Sequence, residues 1–282
     1  MTLLLGAVAY DQKVVAIWTG FRSWLRRRGL PVDYILYPHY ELQIEDLVAG
    51  RIHVAWNSPL AWIRGQRLAR TRGRTVYPLL MRDTDQDLTS VIVARAGSRL
   101  STADLHGRTI AVGAADSPQA TLIPLSYLRR ISAAPGPDMK VLRHDVRLGL
   151  HGDHIGGERE AASAMLAGTA DAACLLDATN LLLTRDGTFP PGAVRVLAQT
   201  PPYDHCNMTV VDTAPANLVD QFGELLLGMS YADPEARPLL DLEGLRAWRP
   251  GRDTGYRALR AAVDEEEFYD ADGCITAAEY EP

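Results

Sequence analysis

The sequence is short of the features that would place it quickly. Its three cysteines, Cys174, Cys206 and Cys274, are scattered and form no CxxC pair. They are too few for a disulfide framework and read as reduced thiols. No apolar run of about 18 residues occurs, so no apolar helix is available to span a bilayer. Positive charge is not in excess: 29 Lys and Arg stand against 35 Asp and Glu, a net charge of −6. A global field of that sign does not recruit nucleic acid, and membrane insertion is not expected. Repeats and low-complexity stretches are missing as well. The opening residues, Met1 to Tyr10, show no basic region and no small-residue cleavage site before the first helical pattern. The expectation from this pattern is a cytoplasmic protein, or a periplasmic one if a leader has been removed.

What is present is an apolar fraction of 47% in 282 residues, enough for one large domain or two small ones. Strand-length apolar runs alternate with helical periods. Leu3 to Ala9 reads as a strand, and Val14, Trp18, Phe21 and Leu25 recur at helical spacing. Strands follow at 32–37, 53–56 and 76–81, with helices between them. A second unit starts near residue 90, with strands at 90–94, 109–112, 171–176 and 194–198 and helices from Pro118 and around Ala161. Strand-helix alternation predicts mostly parallel sheets with right-handed crossovers. The expected architecture is α/β with two lobes, 1–88 plus 208–282 and 89–207, joined by crossings near 85–95 and 203–209.

Two Ser-Pro steps occupy corresponding places, Ser58-Pro59 and Ser117-Pro118, each after a strand and opening a helix. Serine is a preferred N-cap and proline suits the first helical turn. Two such helix starts at the carboxyl ends of strands are suited to clamp an anion between lobes. The segment YELQIEDLVAGRIHVAWNSPLAW at 40–62 then resembles the signature of phosphonate- and phosphite-type periplasmic solute-binding proteins. DLHGRTIAV at 104–112, DSPQATLIPLSYL at 116–128, EAASAMLAGTADAACLLD at 160–177 and PPYDHC at 201–206 continue the resemblance in order. It implies a type II periplasmic-binding fold closing on a small anionic ligand, with an ABC permease as partner if the chain is exported. Carried over residue by residue, it implies ligand contact at Tyr40, Ser58, Ser117, Thr121 and Asp177. Position alone adds Tyr10, Asn57, Gln119, Ala120 and His205, and a homodimer is a further candidate assembly.

The departures point elsewhere. His53 stands where the family has Asp, Asp116 and Pro118 replace hydroxyls, and Glu158 or Arg159 replaces a histidine. A phosphonate, phosphate ester or carboxylate would meet fewer donors and an added carboxylate. An alternative reading is therefore a cytoplasmic biosynthetic enzyme on the same fold, a lyase, hydrolase or metal-dependent oxidase, with His53, His154, Glu158 and His205 as catalytic candidates. His151, Asp153 and His154 gather as candidate ligands for Fe or Zn, with Glu158 and His205 nearby. His205 and Cys206, as neighbours on a strand, are expected to face opposite sides and not to meet. Asp270, Asp272, Gly273, Ile275 and Glu279 fit part of an EF-hand loop, but Phe268 stands at its first position and cannot ligate, so a solvated acidic tail is expected. Arg64, Arg67, Arg70, Arg72 and Arg74 are expected to form a solvated face.

Overall fold

The computed structural model describes residues 1–132, 139–152, 155–278 and 280–282. The first half of the fold runs β1 (Leu3–Val8), α1 (Lys13–Arg27), β2 (Val32–Tyr37), α2 (Tyr40–Val48), β3 (Val54–Asn57), α3 (Pro59–Thr71) and β4 (Val76–Arg82). The chain then crosses to β5 (Ser90–Arg95) and β6 (Thr109–Val112). A wide π-helical turn, Pro118–Leu122, runs into α4 (Ile123–Ile131). There follow β7 (Lys140–Arg143), α5 (Glu158–Ala167), β8 (Ala172–Leu176), α6 (Asp177–Arg185) and β9 (Val194–Gln199). After the return crossing come β10 (Asn207–Val211), α7 (Ala216–Leu227), α8 (Arg237–Glu243), β11 (Trp248–Pro250) and α9 (Arg257–Glu265). Among the described residues no helix is long and apolar enough to cross a membrane.

The strands form two mixed sheets, one ordered β11-β4-β10-β3-β1-β2 and the other β7-β6-β8-β5-β9. Within each, four strands share one direction, as the alternation of strand and helix demands. The strand that enters after each crossing, β10 or β5, is inserted antiparallel between the third and fourth of these. β11 adds an antiparallel edge to the first sheet. Hydrophobic periodicity marks β5 and β10 as strands and says nothing about their direction. The insertions matter because they bring both crossing segments to the carboxyl ends of the other strands, where a crevice forms.

Each sheet is covered on both faces. α1, α7 and α8 bury Phe21, Trp24, Phe222 and Leu240 against one face of the first sheet, and α2 and α3 bury Ile44, Leu47 and Ala61 against the other. A further cluster joins the two halves. Leu60, Trp62 and Ile63 of α3 pack with Leu122 and Ile123 and with Tyr256, Leu259, Phe268, Tyr269 and Tyr280 of the C-terminal segment. Arg64 and Arg67 of α3 turn inward to hold that segment, whereas Arg70, Arg72 and Arg74 are exposed, as expected of a solvated face. Arg64, only 6% exposed, donates to the carbonyls of Gly273 (2.9 Å) and Glu41 (3.0 Å) and pairs with Glu45. Arg67 donates to the carbonyls of Tyr269 and Asp270, and Arg70 to that of Ala271. The acidic turn is likewise not a loose tail: Asp270 Oδ1 accepts from the N–H groups of Asp272 and Cys274. Glu279, the last position of the EF-hand match, lies outside the described residues.

Candidate functional site

A cavity of about 450 Å³ lies between the sheets. Tyr10 after β1, Trp56 in β3 and Arg82 at the end of β4 line it from one half. Gln119, Glu158 at the start of α5 and Thr179 in the first turn of α6 line it from the other. The two crossings supply Asp85, His205 and Cys206. All stand at or just beyond the carboxyl ends of strands, where βα connections leave helix starts pointing inward.

The charges of this cavity are organised around Arg82. Its guanidinium meets both oxygens of Asp85 (2.5 and 2.9 Å), reaches the carboxylate of Glu243 (3.3 Å), and lies 5.1 Å from the centre of the Trp56 ring. Burial alone would raise the Asp85 carboxyl, but Arg82 outweighs it and holds the pKa at about 2. Glu158 is treated differently. It is 1% exposed and accepts from the Leu176 N–H (2.9 Å) and the Thr179 hydroxyl (2.7 Å). Burial dominates these bonds and pushes its pKa up to about 7. His205 donates its backbone N–H to the Asp85 carbonyl (2.8 Å), and its Nδ1 lies 3.5 Å from Asp85 Oδ1. The same Nδ1 is 3.1 Å from Cys206 Sγ, so these neighbours do meet. They precede β10 and are not strand residues, so the two-residue alternation that would separate them does not apply.

Tyr40, Ser58 and Ser117, three of the five residues singled out by the resemblance, gather at a second place, and the chain itself fills it. Ser58 and Ser117 cap their helix starts, accepting from the N–H groups of Ala61 (3.1 Å) and Ala120 (3.2 Å). Beside Ser58 sits the imidazole of His151, with no exposed surface. Its Nδ1 is 2.6 Å from Ser58 Oγ, its Nε2 is 2.8 Å from Glu41 Oε1 and 3.0 Å from the Tyr280 hydroxyl. The ring stacks on Tyr40 at 4.9 Å and 15°. Tyr280 and Tyr269 also donate to Glu41 Oε1 (2.7 and 3.2 Å). Burial raises the Glu41 carboxyl, but His151 and the tyrosine hydroxyl more than offset it and bring the pKa to about 2. Ser58, His151 and Glu41 have the connectivity of an acyl-transfer relay. Ser58 and His151 are wholly buried and Glu41 is 3% exposed, so no substrate reaches the relay in this arrangement.

Sequence reasoning missed Glu41, Tyr269 and Tyr280. Glu41 carried a usable signal: it shares a helical stripe with Ile44 and Val48, and a carboxylate at an apolar position needs a partner. The tyrosines belong to the C-terminal segment, whose path no local pattern reveals.

Other expected site residues are dispersed. His53 stands before β3, at the opposite end of that strand from Ser58. Its Nδ1 accepts from the Leu4 N–H (2.9 Å), which ties β1 to the strand entry and keeps it out of the cavity. Asn57 is buried in a network, accepting from Gln43 (2.8 Å) and donating to Thr209 (2.8 Å). Gln119 donates to the Gly152 carbonyl, while its Oε1 and Thr121 Oγ1 are buried without partners among the described residues. Ala120 is buried beneath the Ser117 cap. Asp177 opens α6, half-buried, with its N–H given to the Thr89 carbonyl (2.9 Å). Asp153 and His154 lie outside the described residues. For Fe or Zn, both nitrogens of His151 are committed elsewhere. Asp85, His205 and Cys206 bring ligand atoms within 4.8 Å of one another, but Asp85 gives both oxygens to Arg82. Among the described residues, neither His151 nor the Asp85 cluster is left with the free donor atoms a metal needs.

The family model for the periplasmic substrate-binding protein of a phosphonate ABC transporter matches residues 7–256. No curated sequence is similar enough to count as a relative. Among solved structures, PhnD1 of Prochlorococcus marinus, in complex with methylphosphonate, is 14% identical with a TM-score of 0.66, covering 94% of this chain and 97% of that one. XAC2383 of Xanthomonas citri, bound to chloride, is 22% identical with a TM-score of 0.67, covering 94% and 98%. The periplasmic aliphatic sulphonate-binding protein SsuA of Escherichia coli is 15% identical with a TM-score of 0.57, covering 100% and 94%. At these identities the structural likeness shows the fold.

Proposed function

Because the chain belongs to the family of periplasmic substrate-binding proteins of phosphonate ABC transporters, we propose that it captures a small ligand between its sheets and presents it to an ABC permease. In this reading it works in the periplasm, and the cytoplasmic expectation, which rests on the N-terminal pattern alone, is set aside. The lobes divide as 1–88 with 208–282 and 89–207, and they close over the ligand by hinge motion of the crossing segments. The observation that carries the reading is the cavity of about 450 Å³, lined from both halves. Cleft chemistry by His53, His154, Glu158 and His205 finds no support in the comparisons, and His53 stands away from the cavity.

The cavity's charge narrows the ligand. Lys13 and Arg82 face Asp85, Asp241 and Glu243, with Glu158 added when ionised. Arg82 is already shared between two carboxylates. A dianion would enter a net negative space at a desolvation cost, and among the described residues lining it no cation except the exposed Lys13 is left to offset that cost. The uncapped start of α6 and Lys13 suit one acidic group of the ligand, and Glu158 suits a protonated amine or another donor. The ligand is therefore a small anion that also carries such a donor, a zwitterion in its simplest form. Calorimetric titration of a carboxylate or phosphonate, each with and without an amino group, tests this. Saturable 1:1 binding of the amino-bearing member, lost in Glu158→Gln, is expected. Equal or tighter binding of the bare dianion refutes the charge argument.

A further inference from the structure

We propose that His151 is a specificity-determining residue, a ligand built into the chain, whose ring occupies the pocket of Tyr40, Glu41 and Ser58 and denies it to any outside molecule. The inference rests on the preceding reading only in leaving the neighbouring cavity as the ligand's own place. The ring comes from the loop between β7 and α5, on the side of the second sheet. It is gripped from the first: Ser58 on Nδ1, Glu41 and Tyr280 on Nε2, and Tyr40 stacked on its face. Nε2–H donates to the Glu41 carboxylate, and Nδ1 shares a hydrogen bond with the Ser58 hydroxyl. The loop is fastened at its own end as well. Asp116 Oδ2 accepts from the N–H groups of Gly149 (2.9 Å) and His151 (2.7 Å), and Gln119 donates to the Gly152 carbonyl.

The backbone is shaped for this delivery. His151 has φ +52°, a conformation that residues with a β-carbon rarely adopt, and Gly152 follows at +67°. A β-carbon at position 152 would lie 2.5 Å from Ser117 Oγ, so only glycine brings the loop so close. A side chain with no exposed surface, held on both ring nitrogens by the opposite half, does from within what a bound ligand does when it closes a two-lobed protein. Selectivity follows: the pocket with two serine-capped helix starts nearby is not open to a free oxyanion, and recognition passes to the charged cavity beside it.

The test uses full-length His151→Ala, with imidazole and methylphosphonate as probes, read by calorimetry and thermal melting. Imidazole is expected to bind the variant 1:1, raise its melting temperature and leave the wild type unchanged. Methylphosphonate would meet the buried Glu41 carboxylate, so it is expected neither to bind the emptied pocket nor to compete with imidazole. A folded variant that does not take up imidazole, or a wild type that binds it as tightly as the variant, overturns the proposal. If His151→Ala does not fold, Tyr280→Phe and Ser58→Ala loosen the grip while keeping the ring, and faster amide exchange at Gly149 and His151 is expected. Unchanged exchange in both refutes the grip. The amino-bearing acids of the functional reading bind in the other cavity, so their failure to bind the wild type, with imidazole rescue of His151→Ala intact, contradicts the functional reading and leaves this one standing.

Discussion

Replacing Glu41 by Gln isolates the charge on which the buried junction of the two halves depends. The carboxyl passes from 4.5 to about 2 on folding. At about 1.36 kcal/mol per pH unit, that amounts to ~3 kcal/mol of folding free energy. The sign follows from the depressed value. The contribution is complete above 4.5, where the unfolded carboxyl is already ionised, and is lost as the pH falls through about 2. In Glu41→Gln the tyrosine hydroxyls keep an acceptor, but the imidazole loses its anionic partner. The variant is therefore expected to be less stable by ~3 kcal/mol near neutral pH, with the gap closing toward zero at the acid end. Urea unfolding of both proteins at stepped pH measures that gap directly. Asp85, also held at about 2, titrates in both proteins and cancels in the difference. A gap that stays constant from neutral pH down through about 2 refutes the assignment of this charge to the junction.

Glu158 behaves in the opposite sense. Its pKa rises from 4.5 to about 7 on folding, so the fold loses up to ~3 kcal/mol as the pH climbs between those values. Glu158→Gln should be the more stable protein above about 7 and no better below 4.5, and parallel unfolding curves in urea would contradict this. Arg64→Ala should cost ~3 kcal/mol, since a nearly buried guanidinium holding Gly273, Glu41 and Glu45 is lost. Limited proteolysis of that variant should begin near Asp270 to Asp272, and cleavage elsewhere first would sink the idea. Gly255→Ala places a β-carbon 2.1 Å from Asp204 Oδ2, the carboxylate that binds Arg252 at 2.6 Å, and should cost ~1–3 kcal/mol by thermal melting.

Much of the fold could be read from periodicity because α/β units repeat one physical solution, an apolar strand followed by an amphipathic helix. β7 escaped because it is a short edge strand, KVLR, with three of its four residues exposed. α6 escaped because it begins at Asp177, immediately after β8, with no turn residue to announce it. The site was legible only in part. Ser58 and Ser117 were identifiable as caps because capping is local chemistry, three residues deep. Glu41, His151 and Tyr280 meet across sequence separations of more than a hundred residues, and no spacing rule reaches so far. The arginines of α3 illustrate the same limit. Helical spacing cannot distinguish a solvated face from one that holds a strap of chain returning from residue 264 onward.

The function proposed for this protein depends on a small molecule being bound in the cavity between the sheets. Native mass spectrometry of full-length protein, incubated with the paired acids and amino acids, tests it against Ala178→Trp. Ala178 is exposed at the start of α6 and lines that cavity, so an indole there obstructs it without entering the core. One ligand per wild-type chain and none on Ala178→Trp is expected. An adduct equally abundant on both proteins would place binding elsewhere and contradict the claim.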